Sequence, residues 1–360
     1  MKLSRRMGLI GIVILWGGAV LAGAPRLQVE GRALWEVTFF GEDDYFYQPS
    51  DIAVDRELKR IYVIETGNHR VSVFDFEGRF LKTVGSQGQG PGEFIRPTGA
   101  CVREDSSLVV ADHGNHRIQI FDAVGKHIET ISTGTLNVAD LAAAEGEYYT
   151  VPSFGNSGYN LNMGSEASHQ PLLTVLNGAG DALRSFEVED FADTHPFIRA
   201  IKHRVSLALS PEGRIYLPYF AINRVLVFDR EGHETGRFDR PLPFKPRVPK
   251  LEKQTSADGR IAMRASMDMV SQAADFGPGG KLYLLTHIGS FVELMKGVTK
   301  REDIPRPPMR IDVIEPASRR LERSLPCEAG TRAFAVLDAR RLVCVFENDS
   351  GEIVLSCIGF

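Results

Sequence analysis

Three histidines have the residue type and the placement from which a zinc site could be built. His69 and His116 lie 47 residues apart in two copies of an Asn-His-Arg motif, and His287 follows an apolar run at the start of a long loop. Imidazoles that converge from three loops can bind Zn²⁺ and leave one position open for water. One hypothesis is therefore a metal-dependent lyase or hydrolase with a His-lined site.

The same motif also fits a structural role. Asn68 and Asn115 can cap their turns, and the arginine after each histidine can pack along a strand. The sequence has no nucleophile elbow, no His-Glu-x-x-His motif and no phosphate-binding loop. The sequence therefore favours a non-catalytic protein without a cofactor. The alternative is an enzyme with Zn²⁺, or a Ca²⁺ site at Asp43 and Asp44.

A second group of candidate residues lies in long segments that break the repeat. Residues 195–204, 239–264 and 296–310 each contain more Lys and Arg than Asp and Glu, although the chain has a net charge of −4. A positive face on an acidic body attracts carboxylate, phosphate or sulfated partners. The alternative interpretation is that these long loops are charged only because they are solvated. The predicted ligand-binding residues are Asn68, His69, Asn115, His116, Arg199, Arg204, Arg224, Arg247 and Arg264. The expected partner is therefore a protein, a peptide or an anionic envelope glycan. Nucleic acid is not expected, because an acidic chain is a poor nucleic-acid binder.

The elements that must position these residues repeat along the chain. Residues 48–78 and 96–125 share one order of apolar runs, an Asn-His-Arg loop and a Phe-Asp turn that ends in Gly. Each unit predicts four short strands, and one four-stranded sheet per repeat of this length is typical of a propeller blade. Weaker copies continue to the C-terminus, which indicates an all-β chain.

The last unit lacks its fourth strand, and the N-terminal segment supplies one. The pair Gly31-Arg32 precedes Gly78-Arg79 by the same 47 residues, in the place of a fourth strand. We therefore predict a six-bladed β-propeller of four-stranded blades, closed by the N-terminal strand that completes the last blade. Closure of this kind removes open sheet edges.

Loop lengths predict which face of the propeller is functional. The long insertions at 153–170, 190–204, 239–269 and 287–309 all fall between second and third strands or between blades. These two loop classes open on one face, together with the two Asn-His-Arg loops. Because binding residues are common on loops that a rigid scaffold holds, function is expected on this face.

The repeat resembles the NHL repeats, a family of six-bladed propellers. The resemblance rests on the glycine-rich connector at 85–94, the segment 96–100 and the two Asn-His-Arg loops, and it is strong over residues 48–131. It implies an exported propeller of the bacterial type that acts as a binding module. The family also includes a peptide-amidating lyase with a metal site, which is the precedent for the zinc hypothesis.

The first residues predict export. Lys2, Arg5 and Arg6 precede an apolar run, and small residues follow it, as in a secretory signal peptide. We predict a signal at 1–24 and a single propeller domain at 25–360, periplasmic or secreted, without a stable membrane span after cleavage. An uncleaved anchor is the alternative, and both general and twin-arginine export remain open. Loss of the three cations changes the net charge from −4 to −7.

Four cysteines, Cys101, Cys327, Cys344 and Cys357, permit three disulfide connectivities in an oxidising compartment. Cys344 and Cys357 are equidistant from the centre of Ser350-Gly351, so a hairpin with that centre places them opposite each other. The sequence therefore predicts a Cys344–Cys357 disulfide, with free buried thiols as the alternative.

Overall fold

The computed structural model describes residues 31–41, 44–153, 171–188, 196–255, 261–298 and 303–360. The side chains of residues 196, 197, 253–255 and 261–265 lie outside this description. The predicted signal at 1–24, Asp43 and most of the insertion at 153–170 also lie outside the described residues. No helix in the described part of the chain is long and apolar enough to cross a membrane.

The N-terminal half contains a first strand, a small hairpin and three blades. The hairpin consists of two short strands, and a 3₁₀ turn (His113–Asn115) interrupts the second blade. The strands are β1 (Arg32–Val37), β2 (Phe39–Phe40), β3 (Asp44–Tyr45), β4 (Pro49–Asp55), β5 (Arg60–Glu65), β6 (Arg70–Asp75), β7 (Phe80–Val84), β8 (Ser86–Gln87), β9 (Glu93–Phe94), β10 (Pro97–Val102), β11 (Leu108–Asp112), β12 (Arg117–Phe121), β13 (His127–Ser132), β14 (Val138–Ala144), β15 (Glu147–Pro152), β16 (Leu173–Leu176) and β17 (Ala182–Phe186).

The C-terminal half continues the blades and carries most of the described insertions. A helix precedes the fourth blade, a hairpin separates the fourth and fifth blades, and a short helix lies within the fifth. The elements are α1 (Pro196–Lys202), β18 (Ala208–Leu209), β19 (Ile215–Pro218), β20 (Val225–Phe228), β21 (Glu234–Phe238), β22 (Lys250–Thr255), β23 (Ile261–Ser266), β24 (Ser271–Phe276), β25 (Leu282–His287), α2 (Phe291–Leu294), β26 (Met309–Glu315), β27 (Arg320–Pro326), β28 (Ala333–Asp338), β29 (Arg341–Glu347) and β30 (Ile353–Gly359).

Six four-stranded antiparallel sheets form the ring, which confirms the predicted six-bladed β-propeller. In the first blade the strand order is β4-β5-β6-β7, and the next four blades repeat this order. The sixth sheet has the order β1-β30-β29-β28, so the N-terminal strand completes the last blade as predicted. Within it, Arg32 pairs with Gly359 and Val37 with Leu355.

The core is divided among the blade interfaces. Six clusters of buried hydrophobic residues occur in the described chain, one between each pair of neighbouring blades. Strands that are apolar on both faces follow from this arrangement, because each blade packs against a neighbour on each side. First strands of neighbouring blades, such as β4 and β10, contact each other and surround the axis.

The loops on the two faces differ in length, as the sequence indicates. Loops between first and second strands, and between third and fourth strands, are short turns. On the other face lie α1, the β22–β23 hairpin, α2 and the two Asn-His-Arg loops. We call this second side the insertion face.

The predicted Cys344–Cys357 disulfide is wrong, and all four cysteines are free thiols. The hairpin is centred on Ser350 alone, because Asn348 N–H donates to Glu352 O and Gly351 takes a positive φ of 82° in the turn. Cys344 therefore pairs with Ser356, and Cys357 with Val343. A shift of one residue moves a side chain to the other face of the sheet, so the two thiols lie in different core clusters.

Candidate functional site

A channel follows the axis of the ring and opens on the insertion face. It has a volume of about 480 Å³ and is lined by the first strands of all six blades, β4, β10, β14, β18, β24 and β28, and by the residues just before them. This volume is in the range of small-molecule sites, roughly 300–1,000 Å³. We call its end at the insertion face, next to Ser153, Arg204, Phe220 and Arg332, the channel mouth.

Two aspartates inside the channel link blades by the same geometry. Asp51 on β4 accepts a hydrogen bond at Oδ2 from Ala100 N–H of the second blade, at 2.9 Å. Asp140 on β14 accepts one at Oδ2 from Leu207 N–H of the fourth blade, also at 2.9 Å. Each carboxylate therefore uses one oxygen to fasten the first strand of the following blade.

A third aspartate repeats this link near the other end of the channel. Asp275 on β24 accepts a hydrogen bond from Val336 N–H of the sixth blade at 2.8 Å. Arg56 lies at the same end and donates to Phe276 O at 3.0 Å and to Val336 O at 2.7 Å. This guanidinium is also 3.4 Å from Asp275, so the third carboxylate has a positive partner.

The channel makes these carboxylates harder to ionise. Burial, followed by the charge of Asp140, raises the pKa of Asp51 to about 7. Burial raises the pKa of Asp140 to about 6 and also raises that of Asp275. Because the channel admits solvent to all three, these effects are smaller than for groups in a closed core.

We expect Asp51→Asn to stabilise the protein at neutral pH and not in acid. A carboxyl with a raised pKa contributes stability that is present in acid and is lost as the pH rises through the folded-state pKa. The amide keeps an acceptor oxygen for Ala100 N–H and does not ionise. Urea unfolding should show a gain of about 1–2 kcal/mol near pH 8 that becomes smaller as the pH falls and disappears below about pH 4, the unfolded-state pKa of an aspartate. The exposed control Glu129→Gln should show no such change, and an equal effect of Asp51→Asn at both pH values would contradict the assignment.

Arg204 and Phe220 form the polar part of the channel mouth. The Arg204 guanidinium carbon lies 4.0 Å from the centre of the Phe220 ring, and Phe220 N–H donates to Arg204 O at 2.8 Å. Arg204 is an exposed residue, although desolvation by the protein atoms around its guanidinium lowers its pKa; an arginine stays protonated at neutral pH all the same. No described carboxylate pairs with it, whereas Arg332 at the same mouth pairs with Glu347 at 2.7 Å.

The two Asn-His-Arg loops are fastened by buried carboxylates at the preceding strand ends. Asp112 is fully buried and accepts from Asn115 Nδ2 at 2.8 Å and from Arg117 Nε at 2.7 Å. Ile95 N–H and Gln119 Nε2 donate to the same carboxylate. The asparagine and the arginine of the motif therefore hold the loop together.

The first blade repeats this arrangement with a glutamate. Glu65 is fully buried and accepts from Asn68 Nδ2 at 2.7 Å, Arg70 Nε at 3.0 Å and Ser72 Oγ at 2.6 Å. Arg70 also pairs with Asp44 at 2.5 Å. The predicted ligand-binding residues Asn68 and Asn115 thus have structural partners.

The three candidate metal ligands have different surroundings. His69 and His116 take left-handed backbone conformations with φ of 55° and 51°, and His69 Nδ1 accepts from Arg96 N–H at 2.8 Å. His287 is buried in the fifth blade. Within the described residues no group of three or more His, Cys, Asp or Glu could hold a metal ion. A zinc site at these histidines stays a prediction.

The remaining predicted arginines are spread over the insertion face. Arg247 forms an ion pair with Glu293, and Arg224 lies 3.8 Å from Asp239. Arg199 lies half-buried on α1. Arg264 lies on β23 opposite Glu252, and its side chain is outside the described atoms.

Comparisons with known proteins agree with the architecture. The sequence pattern of a family described as a 6-bladed β-propeller, DUF5128, matches residues 42–179, which is less than half of the chain. No curated protein matches the chain. The matches support a β-propeller family and do not distinguish NHL repeats from other propellers.

Solved structures are similar at low sequence identity. A member of the duf4221 family from Bacteroides vulgatus has a TM-score of 0.61 and 11% identity, over 93% of this chain and 99% of that one. A virginiamycin B lyase from Staphylococcus aureus has a TM-score of 0.51 and 11% identity, over 92% of this chain and 100% of that one. The catalytically inactive variant of this lyase, solved with quinupristin, gives the same values. At this identity the similarity establishes the fold alone.

Sequence reasoning did not single out Asp51, Asp140 and Phe220 as site residues. A signal for the aspartates was present, because each interrupts an apolar first strand just after its start. Phe220 follows a strand of buried aromatic and aliphatic residues and has no comparable signal.

Proposed function

We propose that the protein is an exported, non-catalytic binding module that takes an anionic group at the channel mouth. The group belongs to a peptide, a protein or an envelope glycan. The observation that carries this proposal is the exposed residue Arg204, whose guanidinium stacks on Phe220 and has no carboxylate partner among the described residues. A guanidinium of this kind can bind carboxylate, phosphate or sulfate through two parallel hydrogen bonds.

The charges along the channel support an orientation for the ligand. Asp51 and Asp140 lie deeper than Arg204, and their carboxylates repel an anion when they are ionised. An anionic group therefore stays at Arg204, while uncharged or hydrogen-bond-donating parts of the ligand enter the channel. The α1, β22–β23 and α2 segments surround the same face and offer a larger surface to a macromolecular ligand.

The second candidate is a metal-dependent lyase or hydrolase at the same mouth. A virginiamycin B lyase has a similar fold, but a fold by itself does not determine an activity. At His69 only Nε2 is free for a metal, because Arg96 N–H occupies Nδ1. Metal analysis separates the candidates: near-stoichiometric zinc that is lost in His69→Ala or His287→Ala would favour the enzyme.

We expect Arg204→Gln to weaken anion binding at the mouth. Calorimetric titrations with sulfate, citrate, a tetraglutamate peptide and a sulfated disaccharide would identify a binding anion. The loss of one charged hydrogen-bonding partner should lower its affinity about tenfold or more. The decrease of affinity with added salt should also become less steep, because one positive charge is removed.

Arg320→Gln is the matched control, since Arg320 is an exposed arginine on the outermost strand of the fifth blade. It should leave affinity and salt dependence unchanged. If Arg204→Gln behaves like this control with an anion that binds the wild type, Arg204 is not the anion site.

A further inference from the structure

The small hairpin of β2 and β3 presents three aromatic residues to solvent. Phe39, Tyr45 and Tyr47 are 59%, 56% and 49% exposed, whereas Phe40 and Phe46 are buried. Phe39 pairs directly with Tyr45 across the hairpin, so their side chains lie on the same face. The alternation continues through buried Phe46 to exposed Tyr47. We call Phe39, Tyr45 and Tyr47 the aromatic platform.

The repeat of the chain shows that the fold does not require aromatic residues at these places. Counted by the 47-residue repeat, Ser86 of the second blade takes the place of Phe39. Counted back from the proline that begins each blade, Glu93 takes the place of Tyr45. The same connector is therefore compatible with polar residues at both outward positions. Exposed apolar patches often mark interaction sites, and this patch is specific to the first blade.

The aromatic platform stands on a rigid base. The ring centroids of Phe40 and Phe46 are 4.7 Å apart, and they lie 5.2 Å and 5.6 Å from that of Phe74. Gly67 N–H donates to Tyr47 O at 3.2 Å, and a Cβ atom at position 67 would lie 2.3 Å from the Tyr47 ring. The ring therefore lies directly on the glycine. A ligand would meet groups that are already ordered, which lowers the entropic cost of binding.

Polar groups at the edge of the platform are available to a ligand. Asn68 Nδ2 donates to Tyr45 O at 3.1 Å and to Glu65 Oε2 at 2.7 Å. Because both partners are acceptors, they fix the orientation of the amide and leave Oδ1 on its other side. No described residue donates to this oxygen or bonds to the hydroxyl of Tyr45 or Tyr47. The edge thus offers one acceptor and two hydroxyl groups.

The described charges do not favour a charged ligand. No Lys or Arg occurs between residues 38 and 48, so the hairpin has no cation that would attract an anion. Its one described carboxylate, Asp44, is bound by both terminal nitrogens of Arg70, at 2.5 Å and 2.9 Å. This carboxylate is therefore not free to bind a cation. Glu42 and Asp43 lie outside the described residues. The groups that the structure describes fit an uncharged ligand.

The size of the platform favours a small ligand over a second copy of the chain. About half of each aromatic residue is exposed, which leaves roughly 300 Å² of accessible surface. A stable interface buries roughly 800 Å² on each partner. The platform alone is therefore too small for a stable dimer, and it matches the flat sides of one or two sugar rings.

We propose that the aromatic platform binds an uncharged sugar ring of a glycan, as a second site on the insertion face. The hairpin joins the sixth blade to the first and contacts the first Asn-His-Arg loop through Asn68. The C–H bonds on one side of a pyranose carry partial positive charge and stack on the negative faces of the aromatic rings. Its hydroxyl groups bond to Asn68 Oδ1 and to the tyrosine hydroxyls. The site uses neither Arg204 nor the channel, so it goes beyond the function proposed above.

Calorimetric titrations of the full chain with four uncharged sugars, cellotetraose, maltotetraose, mannotetraose and chitotetraose, test the proposal. At least one should bind with a dissociation constant of about 1 mM or tighter. Phe39→Ser combined with Tyr45→Gln should weaken this binding about tenfold or more, because two stacking rings are lost. Tyr45→Phe keeps the ring and should stay within about threefold of the wild type. Added salt and Arg204→Gln should leave the sugar affinity unchanged, because the ligand is uncharged.

Leu81→Ser combined with Ile128→Ser is the matched control, since it removes two exposed apolar side chains from fourth strands away from the hairpin. It should leave sugar binding unchanged. Urea unfolding should show that the Phe39→Ser and Tyr45→Gln double variant is as stable as the wild type, because the second blade carries polar residues at both places.

Four results would overturn the proposal. They are no binding of any of the four sugars, equal sugar binding by the double variant, binding of a proline-rich or trilysine peptide at the platform in place of sugar, and a dimer in sedimentation that the double variant loses. Absence of sugar binding with intact anion binding at Arg204 rejects this inference alone. Absence of anion binding with intact, salt-independent sugar binding rejects the proposed anion site alone.

Discussion

Asp112→Ala is expected to destabilise the protein by about 3–5 kcal/mol, because it removes the one acceptor around which the second Asn-His-Arg loop is organised. The half-buried Arg117 guanidinium would lose its carboxylate partner at 2.7 Å and keep only its bonds to three backbone oxygens of residues 89–93. Ile95 N–H would lose its acceptor, and Asn115 would keep one backbone acceptor. The cost is that of leaving a half-buried cation without its counter-charge and a backbone N–H without an acceptor, and it exceeds the net value of any one hydrogen bond.

Urea unfolding at neutral pH measures this effect, with two matched variants. Asp112→Asn keeps an acceptor and loses the charge, so it should fall between the wild type and Asp112→Ala. Glu129→Ala removes an exposed carboxylate from the fourth strand of the same blade and should change stability by less than about 0.5 kcal/mol. A loss below about 1 kcal/mol for Asp112→Ala would mean that water replaces the carboxylate, and the loop would then need another explanation.

The repeat predicted the blades well because its signals are local. Strand periodicity and the turn glycines depend on residues that are close in sequence and recur along the chain, and the Asn-His-Arg motif of the first two blades sets their spacing. The structural role of Asn68 and Asn115 follows from the same kind of information, since each bonds a carboxylate three residues earlier. The N-terminal closing strand was also predictable, because it keeps the period of the repeat.

The channel was not predictable to the same degree, because its contacts join residues that are far apart in sequence. Asp51 bonds Ala100, 49 residues away, and Asp140 bonds Leu207, 67 residues away. The stacking of Arg204 on Phe220 and the pairing of Arg247 with Glu293 depend on how the insertions fold. These segments lack the repeat, so no spacing rule applies to them.

The predicted Cys344–Cys357 disulfide was wrong because of a small difference in the position of the hairpin turn. The hairpin carries Asn348, whose Oδ1 accepts from Ser350 N–H at 3.0 Å and from Glu352 N–H at 2.9 Å. This side chain organises a loop with an odd number of residues, and the centre moves by half a residue from the predicted position. Because side chains alternate along a strand, that small change decides whether two thiols meet.

Deletion of β1, the strand that closes the ring, is the second change for which we expect a large effect on stability. Two truncated chains, one that begins at Gly31 and one that begins at Thr38, differ only in the presence of β1. The longer chain keeps the pairing of β1 with β30 and the hydrogen bond from Trp35 Nε1 to Phe76 O at 3.0 Å. The shorter chain exposes the edge of β30 and the buried residues Leu355 and Cys357.

We expect the chain that begins at Thr38 to unfold or to aggregate, whereas the chain that begins at Gly31 stays monomeric and folds cooperatively. The packing of Trp35 alone is worth about 3 kcal/mol, and an open edge strand pairs with other chains. Size-exclusion chromatography and urea unfolding distinguish the two, and Trp35→Ala against the exposed control Leu34→Ala separates packing from edge exposure. Equal stability of the two truncations would mean that β30 is protected without β1. β30 lies in the same sheet as β28, and the first residues of β28 line the channel. Loss of β1 should therefore also weaken anion binding at Arg204. This effect would connect closure of the ring with the function proposed for the channel mouth.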